Sequence, residues 1–185
     1  RDAVLPVVPM FHVNAWGIPY SAAMVGAKLV LPGPALDGES VYKLVEAEGV
    51  TVALGVPTVW QMLLGHVDKN KLKFGSLKRT VIGGAAAPAA MIAAFEKDHH
   101  VEVLHAWGMT EMSPIGTSCS LGKKQAALPL DEQLALKTSQ GRVVFGVEMR
   151  IVNDAGEAQP WDGKAFGDLH VRGPWIAAGY FRDEG

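Results

Sequence analysis

Apolar and polar positions along the chain switch repeatedly between two periods, and this switching predicts a succession of strands and helices. Ala3–Val8 is a nearly continuous apolar run of strand length, followed by the turn-rich Pro9–Gly17 and a helix through Ala22-Ala23-Met24-Val25. Pro19 falls in the first turn of that helix, where its missing N–H does little harm. Lys28–Leu31 reads as a short strand closed by Pro32-Gly33-Pro34. Asp37 then caps a helix with Val41, Leu44 and Val45 on one face. Thr51–Val56, rich in β-branched residues, is the next strand, and Pro57 opens a helix striped by Val59, Trp60, Leu63, Leu64 and Val67. Arg79–Ile82 runs as a strand into Gly83-Gly84-Ala85-Ala86-Ala87. Pro88 starts a further helix bearing Met91, Ile92 and Phe95, and Val101–His105 ends the series as a strand.

Strands and helices joined this tightly predict an α/β fold, a mostly parallel sheet covered by helices. Ligands of such sheets bind beyond the carboxyl ends of the strands, so the residues after each strand are where chemistry is expected. The texture changes after a short helix around Asp131–Lys137. Glu148–Val152 and Gly167–Arg172 alternate polar and apolar residues around the turn Asn153-Asp154-Ala155-Gly156, as antiparallel strands do. Residues 1–140 are therefore expected to form an α/β sheet subdomain and residues 141–185 the incomplete start of an antiparallel, β-rich one.

Composition narrows the function classes. The 185 residues are 49% hydrophobic and 19% charged, enough for a packed core, and 17 basic against 19 acidic residues give a net charge of −2. That balance gives no footprint for nucleic acid. A lone cysteine, Cys119, allows no internal disulfide, so a reducing, cytoplasmic compartment is expected and a thiolate metal cage is excluded. No apolar run approaches the ~20 residues that a transmembrane helix needs. The chain opens with Arg1-Asp2 running straight into an apolar segment and closes at Asp183-Glu184-Gly185 with no closing helix, so an internal piece of a longer protein is expected.

Several familiar motifs fail. Gly116–Lys123 has five residues between its glycines where a P-loop has four, and Lys124 stands where a magnesium-binding hydroxyl is needed. There is no Gly-x-Gly-x-x-Gly and no Gly-x-Ser-x-Gly elbow, Cys119 has no base partner in sequence, and the adjacent His99 and His100 fit a solvated helix end.

Three strand-end segments remain: Pro9–Gly17, with His12 and Trp16 among small residues; Gly83–Pro88, where minimal side chains let a flat ligand approach the backbone; and His105–Glu111. The third combines an aromatic plate, a glycine, a hydroxyl and a carboxylate, groups suited to stacking on a base, donating to phosphate and holding a hard, hydrated cation. Singly, each fits a plainer role: a tight turn, a core tryptophan, a solvated loop charge. Their joint occurrence after successive strands favours a nucleotide.

Trp107-Gly108-Met109-Thr110-Glu111 closely resembles the Tyr-Gly-Met-Thr-Glu signature of the adenylate-forming superfamily of acyl-CoA synthetases, luciferases and peptide-synthetase adenylation domains. Pro9–Trp16 resembles the Pro-Met-Phe-His-Val-Asn-Ala-Trp stretch of its fatty acyl-CoA synthetase branch. Gly167–Gly173, continuing to Gly179-Tyr180, resembles the family's Gly-Glu-Leu-x-Val-Arg-Gly segment. The resemblance implies the second α/β subdomain of an enzyme that joins a carboxylic acid to ATP as an acyl-adenylate and then transfers the acyl group to coenzyme A. It implies that Glu111 binds Mg2+, that Thr110 contacts phosphate, and that His12 shapes carboxylate entry as the third catalytic residue. Gly84, Ala85, Ala86, His105, Ala106, Trp107 and Gly108 would line the nucleotide. His12, Val13, Trp16, Gly83, Gly108 and Met109 would line the acyl pocket, with Trp16 as its gate.

The departures are Trp107 for tyrosine, His105-Ala106 where glutamine-glycine is common, and Asp168 for glutamate. The family's phosphate loop, ribose-binding aspartate and catalytic lysine fall outside these residues, so the span alone is expected to be inactive. A medium- or long-chain fatty acid is the expected substrate, with an aryl or short-chain acid as the alternative, since a methylene or two changes pocket affinity by only ~1–3 kcal/mol. A non-catalytic relative is a competing class, and homodimers are common in the branch it resembles.

Overall fold

Every apolar run read as a strand forms one in a computed structural model, which describes residues 1–182. The reading of the closing residues Asp183-Glu184-Gly185 lies outside the described residues. β1 (Ala3–Val7), β2 (Lys28–Leu29), β3 (Val52–Gly55), β4 (Arg79–Ile82) and β5 (Glu102–Gly108) pair in parallel in the order β2-β1-β3-β4-β5. The sheet then continues with two antiparallel strands, β6 (Ile115–Ser118) and β7 (Arg142–Val143), so it crosses the change of texture at residue 141. These two escape a reading of periodicity because they are short and carry almost no apolar alternation.

Between β1 and β2 lie α1 (Val13–Trp16) and α2 (Ile18–Val25). α3 (Gly38–Glu48) begins as expected: Asp37 Oδ1 accepts the Ser40 backbone N–H at 3.0 Å, satisfying one of the helix's orphan donors. That bond, and one from the Ser40 hydroxyl, hold the Asp37 carboxyl below its ordinary range. α4 (Pro57–Lys69) crosses α3 so closely that a Cβ on Gly38 would sit 2.1 Å from the Met62 carbonyl oxygen. Its stripe Val59, Trp60, Leu63, Leu64 and Val67 is buried as predicted. α5 (Ala89–Ala93) widens into a π-helical turn over Ala94–Asp98, which turns Phe95 edge-on to Trp60 at 6.0 Å between ring centroids. Both rings are fully buried, and burial of this kind contributes about 1.5–3 kcal/mol per large side chain. A 3-10 turn over Thr110–Met112, α6 (Lys123–Ala126) and α7 (Leu130–Lys137) complete the helices among the described residues.

The helical cover is lopsided. On the far face α2 leaves a groove of about 290 Å³ against Val4, Val52, Leu54, Val81 and Leu104. Beyond β7 a second, three-stranded antiparallel sheet is ordered β10-β8-β9, from β8 (Glu148–Val152), β9 (Ala158–Gln159) and β10 (Asp168–Arg172). The turn at Asn153–Gly156 joins β8 to the short β9, and β10 returns along β8's other edge. No helix among the described residues is long and apolar enough to cross a membrane.

Candidate active site

The three predicted segments meet at the carboxyl edge of the parallel sheet. The first two follow β1 and β4, with β3 ending between them, and the third begins inside β5, which runs on to Gly108, and continues beyond it. The β1 segment reaches across β3 by an unusual backbone. Val13, Asn14, Ala15 and Trp16 all have positive φ (45°, 52°, 51° and 56°), and Gly17 follows at 72°. α1 is thus a left-handed turn built from four non-glycine residues. It is closed by Trp16 N–H to His12 O at 3.2 Å and Gly17 N–H to Val13 O at 3.0 Å. Each such residue costs roughly 1–2 kcal/mol relative to a right-handed one. Strain of this kind persists only where the surroundings impose it, and it marks functional segments.

The turn delivers the Trp16 indole onto the two glycines after β4. A Cβ on Gly83 would lie 3.2 Å from Trp16 Cη2 and 3.4 Å from Ala106 O. A Cβ on Gly84 would lie 3.1 Å from Val56 Cγ1 and 3.8 Å from Trp16 Cζ2, and Gly84 has φ +76°. Hence Gly83 is packed beneath the indole, while Gly84 supplies a conformation that side chains disfavour. Gly84, Ala85 and Ala86 are exposed and Ala87 is buried, so the triple-alanine turn presents bare backbone and two methyl groups to solvent.

β5 brings the signature alongside. Register pairs Ile82 with His105, which places Ala106 beside Gly83, and a register shift at Trp107/Gly108 in the β5–β6 pairing re-aims the loop beyond it. The Trp107 ring packs on Gly116, where a Cβ would fall 2.8 Å from Cζ3. Gly108 has no room for a side chain, since a Cβ would lie 1.8 Å from Pro114 O. Met109 N–H closes that loop onto the same Pro114 oxygen at 2.9 Å. The loop presents Met109 and Thr110 in the open and Glu111 half-buried. Among the described residues neither the Thr110 hydroxyl nor the Glu111 carboxylate makes a side-chain hydrogen bond, and no cluster of three metal-ligating side chains occurs. One free carboxylate beside a free hydroxyl fits Mg2+, which retains waters and takes phosphate oxygens as further ligands.

The expected residues differ in exposure. His12 is exposed, with its ring 4.8 Å from Phe11, and Val13 is half-buried. His105, expected among the nucleotide-lining groups, is fully buried behind the triple-alanine turn with both ring nitrogens engaged. Periodicity also gives no sign of the links from the signature loop to the segment that follows β10: Ala177 N–H donates to Glu111 O at 2.8 Å, and Ser113 Oγ to Trp175 O at 3.0 Å. These are pairings over more than sixty positions, for which no local signal exists.

Residues 1–181 match the family model described as AMP-binding enzyme. The chain belongs to the AMP-binding enzyme family. Over 184 residues it is 58% identical to a medium-chain-fatty-acid–CoA ligase of Ectopseudomonas oleovorans, an alignment covering 100% of this chain and 34% of that protein. Over 181 residues it is 55% identical to a 3-methylmercaptopropionyl-CoA ligase of Ruegeria lacuscaerulensis, covering 98% of this chain and again 34% of the relative. The N-terminal domain of FACL13 from Mycobacterium tuberculosis shares the fold, with a TM-score of 0.81 at 23% identity over 99% of this chain and 43% of that one. This AMP-binding chain thus spans about a third of the length of the curated relatives it matches.

Proposed function

We propose that this chain is the part of an AMP-forming acyl-CoA synthetase that holds the acyl-adenylate, and that the complete protein activates a medium- or long-chain fatty acid with ATP and passes it to coenzyme A. The observation that carries the reading is the meeting of Trp16, Gly83–Ala87 and Trp107–Glu111 on one sheet edge. The 58% identity to a medium-chain ligase supports the substrate class.

In this reading the exposed backbone of Gly84, Ala85 and Ala86 and the edge formed by Ala106, Trp107 and Gly108 take the adenine, because the small groups leave space for a flat ring and the indole gives it a face to stack on. The Thr110 hydroxyl donates to a phosphate oxygen, and the Glu111 carboxylate holds Mg2+. Bound Mg2+ supplies charge that offsets the charge developing on the α-phosphate during in-line attack. His12 and Val13 flank the path of the acid, with Gly83, Gly108 and Met109 along the pocket. Trp16 lies where its indole must swing off Gly83 to admit an alkyl chain. Cytoplasmic location belongs to the same proposal and is supported by the unpaired, buried thiol of Cys119.

A second reading is a short thioether acid as substrate, favoured by the 55% identity to the 3-methylmercaptopropionyl-CoA ligase. ATP–pyrophosphate exchange by the complete protein decides both. Exchange dependent on octanoate or longer acids supports the first reading, exchange with 3-methylmercaptopropionate alone supports the second, and no exchange with any acid overturns both.

A further inference from the structure

We infer that His105 is a positioning residue that clamps the triple-alanine turn from behind and so sets the shape of the nucleotide site, an inference that rests on the reading above. His105 lies in the row of fully buried residues that includes Ile82 and Val103, on the helix-covered face of the sheet. A buried imidazole must satisfy both nitrogens. The Ala87 backbone N–H donates to Nε2 at 3.1 Å, and Nδ1 lies 3.2 Å from the Lys137 carbonyl oxygen. One partner is a donor and the other an acceptor, so the partners assign the neutral tautomer with its proton on Nδ1. No capacity is left for a ligand.

The turn needs such a clamp because of what it lacks. Gly83, Gly84 and the three alanines carry no side chain longer than a methyl group, so little but backbone bonding can hold them. At its start Gly83 N–H reaches Gly55 O at 3.4 Å, a long bond. At its end Pro88 has no N–H, which leaves Ala87 as the last donor before α5, and Ala87 gives its proton to His105. Behind the imidazole the support continues. Lys137, 5% exposed, pairs through Nζ with Glu96 Oε1, and that oxygen also accepts Val103 N–H at 2.9 Å. Sheet, π-helical turn and α7 are thus tied to one another beneath the adenine platform. A network that is satisfied throughout in a low-dielectric interior is rigid, and removing one member leaves a buried group unpaired.

The test uses the complete protein with two probes: a non-hydrolysable acyl-adenylate analogue and hydrogen exchange at the Ala87 amide. His105→Gln retains an acceptor long enough to reach Ala87. His105→Asn reaches only as far as Nδ1 and loses that bond. The Asn variant is expected to bind the analogue about tenfold more weakly, the factor belonging to one lost hydrogen bond, and to exchange its Ala87 amide faster by a similar factor. The Gln variant should stay within about threefold on both measures, and Val45→Ala, remote from the turn, should lower stability with neither changed. Unchanged Ala87 exchange in the Asn variant overturns the clamp. Failure of the unsubstituted protein to bind the analogue overturns the nucleotide reading instead, while the exchange comparison still decides the clamp.

Discussion

Trp16 Cη2 stands 3.2 Å from where Gly83 would carry a Cβ, so the indole and the glycine fit as a lid fits its seat. Adding that Cβ forces the ring to shift by a few tenths of an ångström and puts a methyl group into the space that the indole must vacate for the acyl chain. Gly83→Ala in the complete protein is therefore expected to move the optimum of kcat/KM along a series of straight-chain acids by one or two methylenes, each worth ~1–3 kcal/mol of discrimination. An unchanged optimum would show that the indole does not border the acid.

The left-handed turn that carries Trp16 makes a second prediction. Asn14 is exposed, and exposed positions ordinarily tolerate substitution within about ±0.5 kcal/mol. Here the residue has φ 52° and ψ 56°, and its Nδ2 reaches Tyr20 Oη at 3.2 Å. Asn14→Ile, β-branched in a left-handed conformation, is expected to lower stability by about 1–2 kcal/mol, whereas Asn14→Gly should be close to neutral. Chemical denaturation of the two variants measures the difference, and equal stabilities would contradict the turn's hand.

Much of this fold can be read from the sequence because its helices and parallel strands obey simple periods. The stripe from Val59 to Val67 and the cap at Asp37 come out as expected. What cannot be read is where non-local pairing or unfavourable backbone decides the outcome. Val13–Trp16 has no glycine to announce a left-handed turn, β6 and β7 are held by neighbours more than by pattern, and the burial of His105 depends on Lys137, thirty-two positions away. The three candidate segments are legible together because each lies at the carboxyl end of a strand. The side to which each imidazole points is not.

Glu111 separates chemistry from architecture. Its tie to the segment that follows β10 runs through the backbone carbonyl to Ala177 N–H, which a side-chain change leaves in place. Glu111→Gln in the complete protein is expected to slow ATP–pyrophosphate exchange at least ~10²-fold while the thermal unfolding midpoint stays unchanged. Near-normal exchange would show that another group holds the metal.

Acid stability draws on the cap of α3. Hydrogen bonds from Ser40 lower the Asp37 carboxyl below 3.8, so the folded state binds that proton less readily than the unfolded state does. The contribution is fully present above that value and is lost as pH falls through the lowered one. Asp131, lowered by Lys97, and Asp162, lowered by the backbone N–H groups of Ala165 and Lys164, act in the same direction. Denaturation midpoints measured from pH 6 to pH 2 should fall more steeply for the unsubstituted chain than for Asp37→Asn, and parallel curves would contradict the cap's ionisation.

A crystal structure of the complete protein with a non-hydrolysable acyl-adenylate would put the sheet-edge assignment to its most direct trial. Adenine lying on Ala85 and Ala86 beside Trp107, with the phosphate-like group at the Thr110 hydroxyl and Trp16 displaced from Gly83, is the expected result. A ligand seated over β8 and β10, or anywhere that leaves Trp16, Ala86 and Thr110 untouched, would contradict it.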